Sequence, residues 1–419
     1  MSELKKDITL VTGIGQMSTT LLGTGLFMVP AIAASIAGQH LLWAWVILLC
    51  AVCPIALTFA ALGKRYPNAG GASYFVKKAF NSRLERAMAW LFISVMPVGV
   101  PAAVALAGGF AQQILPAGLS DPISAQLLTV LLLIVVNLAG TRSSSRLQTA
   151  IAIGIVALVV AFMVKGSVGT EDVTLPKLTS TDFVPIGQAL AVMFWCFVGI
   201  EAFAHMGEEF KNPQRDYPLA ILLGCVIAGL VYWAFSVVVL KFGAYGTSEL
   251  DRSSIPYIAQ LLFGAKATLL ISVMGFLACF ATINLYTQSL SRMIWSQARE
   301  YKPQSPLAKL NRKGVPLNAT LVVGVVLALG SVAGELSGVD LEVFLKLANG
   351  VFVVIYLMSM FAAIKLLSGY YRGLAFVASL VCLSVFGFLG WAMLYALGLF
   401  CLFWMVLSHS PAISEQPTD

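Results

Sequence analysis

Long apolar runs follow one another along almost the whole sequence and are separated by short polar segments. Hydrophobic residues make up 59% of the 419 residues and charged residues only 11%. A soluble domain carries roughly 25% charged residues, because charge covers its surface. An α-helix needs about 20 apolar residues to cross a bilayer, and most of the runs have that length. The chain is therefore predicted to be an all-α membrane protein that crosses the bilayer many times.

The apolar runs predict twelve transmembrane spans, which we number in chain order. The stretch 373–408 is too long for one span of about 17–25 residues, so it is divided at a turn between Gly387 and Gly390. A single transmembrane domain is predicted over 1–408, with a cytoplasmic tail at 409–419. The predicted spans are 9–37, 41–63, 84–115, 122–140, 147–165, 184–209, 217–243, 265–297, 316–333, 341–367, 373–388 and 390–408.

The positions of the basic residues predict how this domain is oriented. If the N-terminus is cytoplasmic, the loops after even-numbered spans are also cytoplasmic and should be rich in lysine and arginine. Of the 26 basic residues, Lys346 lies within a span, and only five lie in or beside the loops of the other side: Lys165, Lys177, Lys241, Arg252 and Lys266. Both termini are therefore predicted to be cytoplasmic.

Several classes of function are disfavoured by the sequence. The basic residues behind the net charge of +7 lie in short loops between the spans and do not form a patch on a soluble domain, which argues against a nucleic-acid partner. His40, His205 and His409 are scattered, so no metal site is predicted. Cys50 and Cys53 match C-x-x-C within an apolar helix, where plain packing is the simpler interpretation. No nucleophile, base and acid occur together at membrane depth, so neither an enzyme nor a cofactor is predicted.

Two predicted spans have residues in their middle that weaken a helix. Span 1 contains Gly23 and Gly25, and span 6 contains Gly199 close to Glu201, the one carboxylate predicted far from either membrane face. Interrupted helices at matching positions in two halves of a chain indicate a transport site near the midplane. Free N–H groups at such a break suit a carboxylate, and free carbonyls suit an ammonium. The alternative is that the glycines are close contacts between packed helices.

Three segments of the sequence form recognisable motifs: Gly23-Thr-Gly-Leu-Phe27 with Pro30, Tyr66-Pro-Asn-Ala-Gly-Gly-Ala-Ser-Tyr74, and Trp195-Cys-Phe-Val-Gly-Ile-Glu201 continuing to Pro218. With these motifs the chain resembles the amino acid–polyamine–organocation superfamily, and in particular its bacterial inner-membrane exporters of methionine and branched-chain amino acids. The resemblance implies a LeuT-like fold in which a 5+5 inverted repeat, about 9–165 and 184–367, is followed by two helices at 373–408.

The same resemblance implies a set of site residues. It places the substrate carboxylate and ammonium at the breaks of spans 1 and 6, on Gly23, Thr24, Gly25, Trp195, Cys196 and Val198. It also implies gate or coupling roles for Trp195, Glu201 and Asn284, the last at the contact of spans 1 and 8. For each of these three an ordinary structural role stays open: Trp195 as core, Glu201 as an interhelical hydrogen-bond partner, and Asn284 as packing.

The residues and the resemblance together predict a transporter of neutral, largely apolar L-amino acids. Apart from Glu201, no charged side chain is predicted at mid-depth to pair with a charged substrate side group. The resemblance implies export of methionine, leucine, isoleucine and valine by alternating access across the bacterial inner membrane, with protons as the candidate coupling ion, and it leaves a homodimer open. An exchanger or importer of another branch of the superfamily is the alternative, and a passive channel is a weaker one.

Overall fold

The structure is a computed structural model, which describes residues 4–407 apart from 181, 265–266, 339–340, 389 and 391. Within these residues the secondary structure is helical, and the only β-pairing is a single bridge between Ile8 and Phe210. The predicted tail at 409–419 lies outside the described residues. The all-α prediction is confirmed.

From the start of span 1 to the end of span 5 the chain forms eight α-helices, because two of the spans are broken and one further helix lies in a loop. Spans 1 and 3 each consist of two helices, and α4 lies between spans 2 and 3. The helices are α1 (Leu10–Leu22), α2 (Val29–Ala37), α3 (Leu41–Arg65), α4 (Gly71–Ala79), α5 (Ser82–Ile93), α6 (Gly99–Gln112), α7 (Pro122–Leu138) and α8 (Thr141–Lys165).

From span 6 to span 12 the residues that the structure describes form nine α-helices. Span 6 is broken between α9 and α10, and α12 lies in the loop before span 8. The helices are α9 (Phe183–Met193), α10 (Ile200–Phe203), α11 (Asp216–Phe242), α12 (Ser248–Phe263), α13 (Ala267–Tyr301), α14 (Leu317–Ser337), α15 (Leu341–Leu366), α16 (Tyr370–Phe388) and α17 (Ala392–Val406).

Six helical segments of the described chain are each long and apolar enough to cross a bilayer. The two bent parts of span 6, which meet at 44°, make a seventh if they are counted as one span. Shorter apolar helices, among them α6, α7 and most of α16 and α17, occupy the other predicted ranges. Large apolar side chains on the outside, such as Ile153 and Leu329, are about two-thirds exposed, as lipid-facing residues are. These ranges are consistent with the twelve predicted spans.

Span 3 differs from its prediction as one continuous helix over 84–115. Helix α5 ends at Ile93 and α6 begins only at Gly99. In the turn between them, the carbonyl oxygen of Val95 accepts hydrogen bonds from the N–H groups of Val98 and Gly99, at 3.2 and 2.9 Å. Pro97 and Pro101 explain this break, since a proline disfavours helical geometry before it and lacks the N–H that a helix needs.

Contacts between distant loops define two faces of the helical bundle. On one face, which we call the basic face, the N–H of Lys211 donates to the carbonyl of Ile8 at 2.9 Å, and a nitrogen of His205 lies 2.9 Å from the carbonyl oxygen of Ala69. On the opposite face, Trp43 donates to the carbonyl of Pro176 at 2.8 Å. Helix α1 runs inward from the basic face and packs against α8, α11 and α13, so it lies at the centre of the bundle.

Candidate functional site

The break in span 1 exposes backbone groups in the centre of the bundle. Residues 23–28 are not helical, and the N–H groups of Gly23, Thr24 and Gly25 donate to no backbone carbonyl. The carbonyl oxygens just before the break are bonded by side chains: Tyr232 donates to Leu21 at 2.8 Å. The break therefore has unused N–H donors, which are the groups that an anionic carboxylate binds at a helix terminus.

The break in span 6 depends on one glycine. Residues 194–197 form a 3₁₀ turn, Val198 is extended, and Gly199 has φ +136°, which a residue with a side chain rarely adopts. A Cβ atom on Gly199 would also come within 2.6 Å of the Thr20 side chain. Gly199 therefore allows both the sharp turn of span 6 and its close approach to span 1.

Side chains connect the two breaks directly. The indole nitrogen of Trp195 donates to the hydroxyl of Thr24 at 3.3 Å. A Cβ atom on Gly25 would lie 2.7 Å from the Tyr232 hydroxyl and 3.2 Å from the Cys196 sulfur. Gly25 is thus tightly packed, so the close contact that the sequence left open for this glycine is present, and substitution of Gly25 would disturb packing before any substrate bound. Its role in substrate binding stays a prediction.

A cavity of about 30 Å³ lies between the two breaks, which is room for about one water molecule in this state. Four of its lining residues carry hydroxyl groups: Thr20, Thr24, Thr282 and Tyr286. Much of the remaining lining is apolar and includes Val95, Val100, Ala103, Ile283 and Phe352. The arrangement suits a small molecule with one polar end and one apolar end.

The predicted substrate residues fall into two groups. Thr24, Trp195 and Val198 line the cavity. Gly23, Gly25 and Cys196 belong to the breaks but do not line it, and Gly23 packs against Ala278 and Thr282 of α13. The structure therefore brings all six residues to one place, and three of them face the empty space.

Glu201 is fully buried behind this cavity. Its two carboxylate oxygens accept hydrogen bonds from the Tyr286 hydroxyl at 2.7 Å and from the N–H of Gly199 at 2.9 Å. The second bond caps the start of α10, so Glu201 stabilises the break of span 6. The structural role that the sequence left open for Glu201 is thus present, and its role in coupling stays a prediction.

Asn284 faces a different neighbour from the one expected. Its side chain accepts from Asn137 of α7 at 2.8 Å and donates to Ser144 of α8 at 2.6 Å. The contact of α13 with the end of α1 is made by Thr282, whose hydroxyl lies 3.0 and 2.9 Å from the carbonyl oxygens of Thr19 and Thr20. The side chains of Thr282 and Asn284 bond different helices because two residues along a helix point in different directions; the predicted role of Asn284 at the contact of spans 1 and 8 stays a prediction.

A buried ion pair lies near the basic face. Arg292 of α13 forms an ion pair with Glu209, and both side chains are almost completely buried. The hydroxyl of Thr141, at the start of α8, donates to Glu209 at 2.5 Å and accepts from Arg292 at 2.9 Å. These contacts join the end of span 6 to the start of α8 and to α13.

A much larger cavity lies toward the opposite face. A cavity of about 510 Å³ extends from the Phe27–Phe110 pair outward, along α6 and α14, to the exposed side chains of Gln113 and Glu335. It lies just beyond the small cavity, since neighbouring residues of α6, such as Val100 and Pro101, line one or the other. Among the described residues, the bundle thus has a wide cavity toward one face and a buried ion pair toward the other.

The sequence did not predict the residues of neighbouring helices that form hydrogen bonds beside the two breaks and near the basic face. Tyr232, Thr282 and Tyr286 lie in spans whose polar residues gave no periodic signal. Arg292 and Glu209 had a usable signal, since each is a charged residue at or near the end of a predicted span.

Comparison with known proteins assigns the chain to a family. The model of the amino acid permease family matches residues 8–416. The chain belongs to this family. Its members are transporters and not enzymes, and the superfamily resemblance predicted from the motifs is confirmed.

Two relatives and one solved structure place the chain within this family and its fold. The chain is 45% identical over 407 residues, 97% of each protein, to the L-methionine/branched-chain amino acid exporter YjeH of Escherichia coli (strain K12). It is 27% identical to the cadaverine/lysine antiporter of the same strain, over 78% of this chain and 74% of the antiporter. The structure of MhsT in complex with L-phenylalanine superposes with a TM-score of 0.63 and 13% identity, covering 93% of this chain and 99% of MhsT. This likeness confirms the LeuT-like fold.

Proposed function

We propose that the chain is a secondary active transporter that exports neutral, largely apolar L-amino acids, among them methionine, leucine, isoleucine and valine. The observation that carries this proposal is the 45% identity, over nearly the whole length of both chains, to an exporter of methionine and branched-chain amino acids. The site is compatible with it: hydroxyl-bearing and apolar residues line the small cavity between the two breaks, and no lysine, arginine, aspartate or glutamate is among its described lining residues.

In this proposal the amino acid binds across the two breaks. Its carboxylate accepts from the unused N–H groups around Thr24 and Gly25, and its ammonium donates to carbonyl oxygens near Trp195 and Val198. Its side chain lies against Val100, Ala103 and Ile283. The cavity is smaller than such a substrate, so binding requires the breaks to separate, and Trp195, which is bonded to Thr24, is the side chain whose movement opens the space.

The proposed mechanism is export by alternating access with the basic face in the cytoplasm, an orientation that the distribution of lysine and arginine indicates. Both termini are then cytoplasmic, in the inner membrane of a bacterium, and the structure corresponds to the outward-facing state. The 5+5 repeat, about 9–165 and 184–367, supplies the two halves that move relative to each other. Breaking the Arg292–Glu209 pair opens the basic face for loading, and an inward-moving proton is the proposed driving ion, with Glu201 as its acceptor.

The experiment that tests the proposal is counterflow in proteoliposomes preloaded with methionine. External labelled methionine, leucine, isoleucine and valine should accumulate transiently, whereas labelled arginine and glutamate should not. An imposed proton gradient should drive net methionine movement against its own gradient. Counterflow of arginine at the rate of methionine would exclude the proposed substrate class, and steady conductance without exchange would indicate a channel.

A further inference from the structure

Three exposed basic residues lie around the end of α15 on the basic face. Arg65, the last residue of α3, donates from Nη1 to the carbonyl of Leu366 at 3.0 Å. Arg372, in the first turn of α16, donates from Nε to the carbonyl of Leu367 at 3.0 Å. Lys365 lies in the last turn of α15, one and two residues before the two leucines whose carbonyl groups the arginines bond. We call Arg65, Lys365 and Arg372 the basic patch.

Helix capping explains only part of this arrangement. Cations near a helix C-terminus stabilise its unpaired carbonyl groups, and the two arginines do so. A guanidinium group has five N–H donors, however, so each arginine retains donors beyond the bond to its carbonyl. The ammonium of Lys365 lies 4.7 Å from the centre of the Phe80 ring. Much of the hydrogen-bonding capacity of the basic patch is therefore available to a ligand.

The positive charge of the basic patch is not neutralised by acidic side chains of the described chain. The ion pairs among those residues involve His40, Lys77, Lys241 and Arg292, and none involves a member of the basic patch. All three side chains are exposed. A cluster of cations of this kind, in the absence of a protein carboxylate, is complementary to a phosphate group.

The surroundings of the basic patch are those of the membrane boundary. Tyr370 and Tyr371 precede Arg372 and are 72% and 46% exposed, and Phe80 is 39% exposed. Exposed aromatic residues at span ends lie at the level of lipid headgroups. Further into the membrane, Phe361 of α15 and Phe376 of α16 present apolar surface. An anion with apolar chains can thus contact the basic patch and the lipid-facing helices together, which a free phosphate ion cannot.

We infer that the basic patch is a binding site for the headgroup phosphate of an anionic phospholipid in the leaflet at the basic face. The two arginines bind the phosphate oxygens through their free N–H groups, and Lys365 adds a point charge. Basic pockets between transmembrane helices at this depth recognise anionic lipids in this manner. The lipid would join α3, α15 and α16, and its binding does not depend on which substrate the protein transports.

The binding can be measured by native mass spectrometry of the purified full chain in detergent. The probes are phosphatidylglycerol and phosphatidylcholine with identical acyl chains, and inorganic phosphate alone as the probe for a free anion. Phosphatidylglycerol should bind with the higher affinity, and inorganic phosphate at equal concentration should neither bind nor displace it. Equal binding of the two lipids would overturn the inference, and so would displacement by inorganic phosphate, which would indicate a site for free anions.

Lys365→Gln is the variant of choice, because this side chain bonds no backbone carbonyl and its loss leaves the caps of α15 in place. Lys309→Gln is the matched control, since Lys309 is exposed on the same face in the loop before α14. Removing one charge near the phosphate should weaken phosphatidylglycerol binding roughly fivefold. Equal effects of the two substitutions would mean that general charge attracts the lipid, which would contradict a site at the basic patch.

Discussion

The hydroxyl of Tyr286 donates a 2.7 Å hydrogen bond to Oε1 of Glu201, and the same tyrosine lines the cavity between the two helix breaks. Glu201 itself does not line the cavity, but its other oxygen holds the N–H of Gly199 at the break of span 6. An ionised carboxylate accepts both bonds, whereas a protonated one has less acceptor capacity. Protonation of Glu201 would therefore change the cavity wall and the break together.

Replacing Glu201 with glutamine fixes a neutral side chain of similar size. If a proton on Glu201 drives the cycle, substrate-for-substrate exchange should survive in Glu201→Gln while gradient-driven transport and its pH dependence are lost. An ionised acid at this depth costs at least about 2.5 kcal/mol unless it is paired. This cost favours either protonation of Glu201 or a conformational change that supplies a partner for its charge. The measurement is the pH profile of gradient-driven methionine transport in inside-out vesicles. An unchanged profile would mean that Glu201 is a structural cap.

The Tyr286 hydroxyl can be removed while its ring stays in the cavity wall. Tyr286→Phe should shift the pH profile of transport, because Glu201 loses a hydrogen-bond donor, and should change the KM for methionine much less. Tyr217→Phe is a matched control, since Tyr217 is also fully buried and its hydroxyl has no hydrogen-bond partner in the structure. A pH profile that moves equally in both variants would show a general effect of losing a buried hydroxyl.

The Arg292–Glu209 pair should hold the basic face closed. Removing one partner would leave a buried charge unpaired, at a cost of about 3–5 kcal/mol, so the double variant Arg292→Gln/Glu209→Gln is the informative one. The assay uses a background in which the other six cysteines are replaced, so that only Cys196, which is buried beside Gly25, can react. In this background the double variant should react faster with a membrane-impermeant maleimide added at the basic face. Unchanged labelling, as expected for the control Lys309→Gln, would exclude the pair as a lock.

The sequence predicted the parts of the fold that depend on local chemistry. Runs of apolar residues predicted the helical ranges, and Gly23, Gly25 and Gly199 predicted the two breaks, because glycine and unpaired backbone groups have large local effects in a membrane. Pro97, Gly99 and Pro101 carry the same kind of signal for the break in span 3, although the apolar run alone predicts one helix there. A proline pair within an apolar run is as strong an indication of a break as a pair of glycines.

The parts that could not be predicted depend on the rotation and register of packed helices. Thr282 and Asn284 are two residues apart on α13, yet one bonds the end of α1 and the other bonds α7 and α8. Nearly all faces of α13 are buried in its central part, so its sequence shows no polar stripe that would indicate its rotation. For the same reason Tyr232 and Tyr286 could not be assigned to the site until the packing was known.

The central claim, that the substrate side chain lies against α6 between the two breaks, is tested most directly by resizing that wall. Val100 lines the small cavity, whereas Val104, one turn further along α6, is buried and does not. The measurement is the ratio of the inhibition constants of phenylalanine and valine against labelled methionine. Room for extra methylene groups is worth about 1–3 kcal/mol each, so Val100→Ala should shift this ratio roughly tenfold in favour of phenylalanine, and Val104→Ala should leave it unchanged. Equal ratios in the two variants would contradict the account.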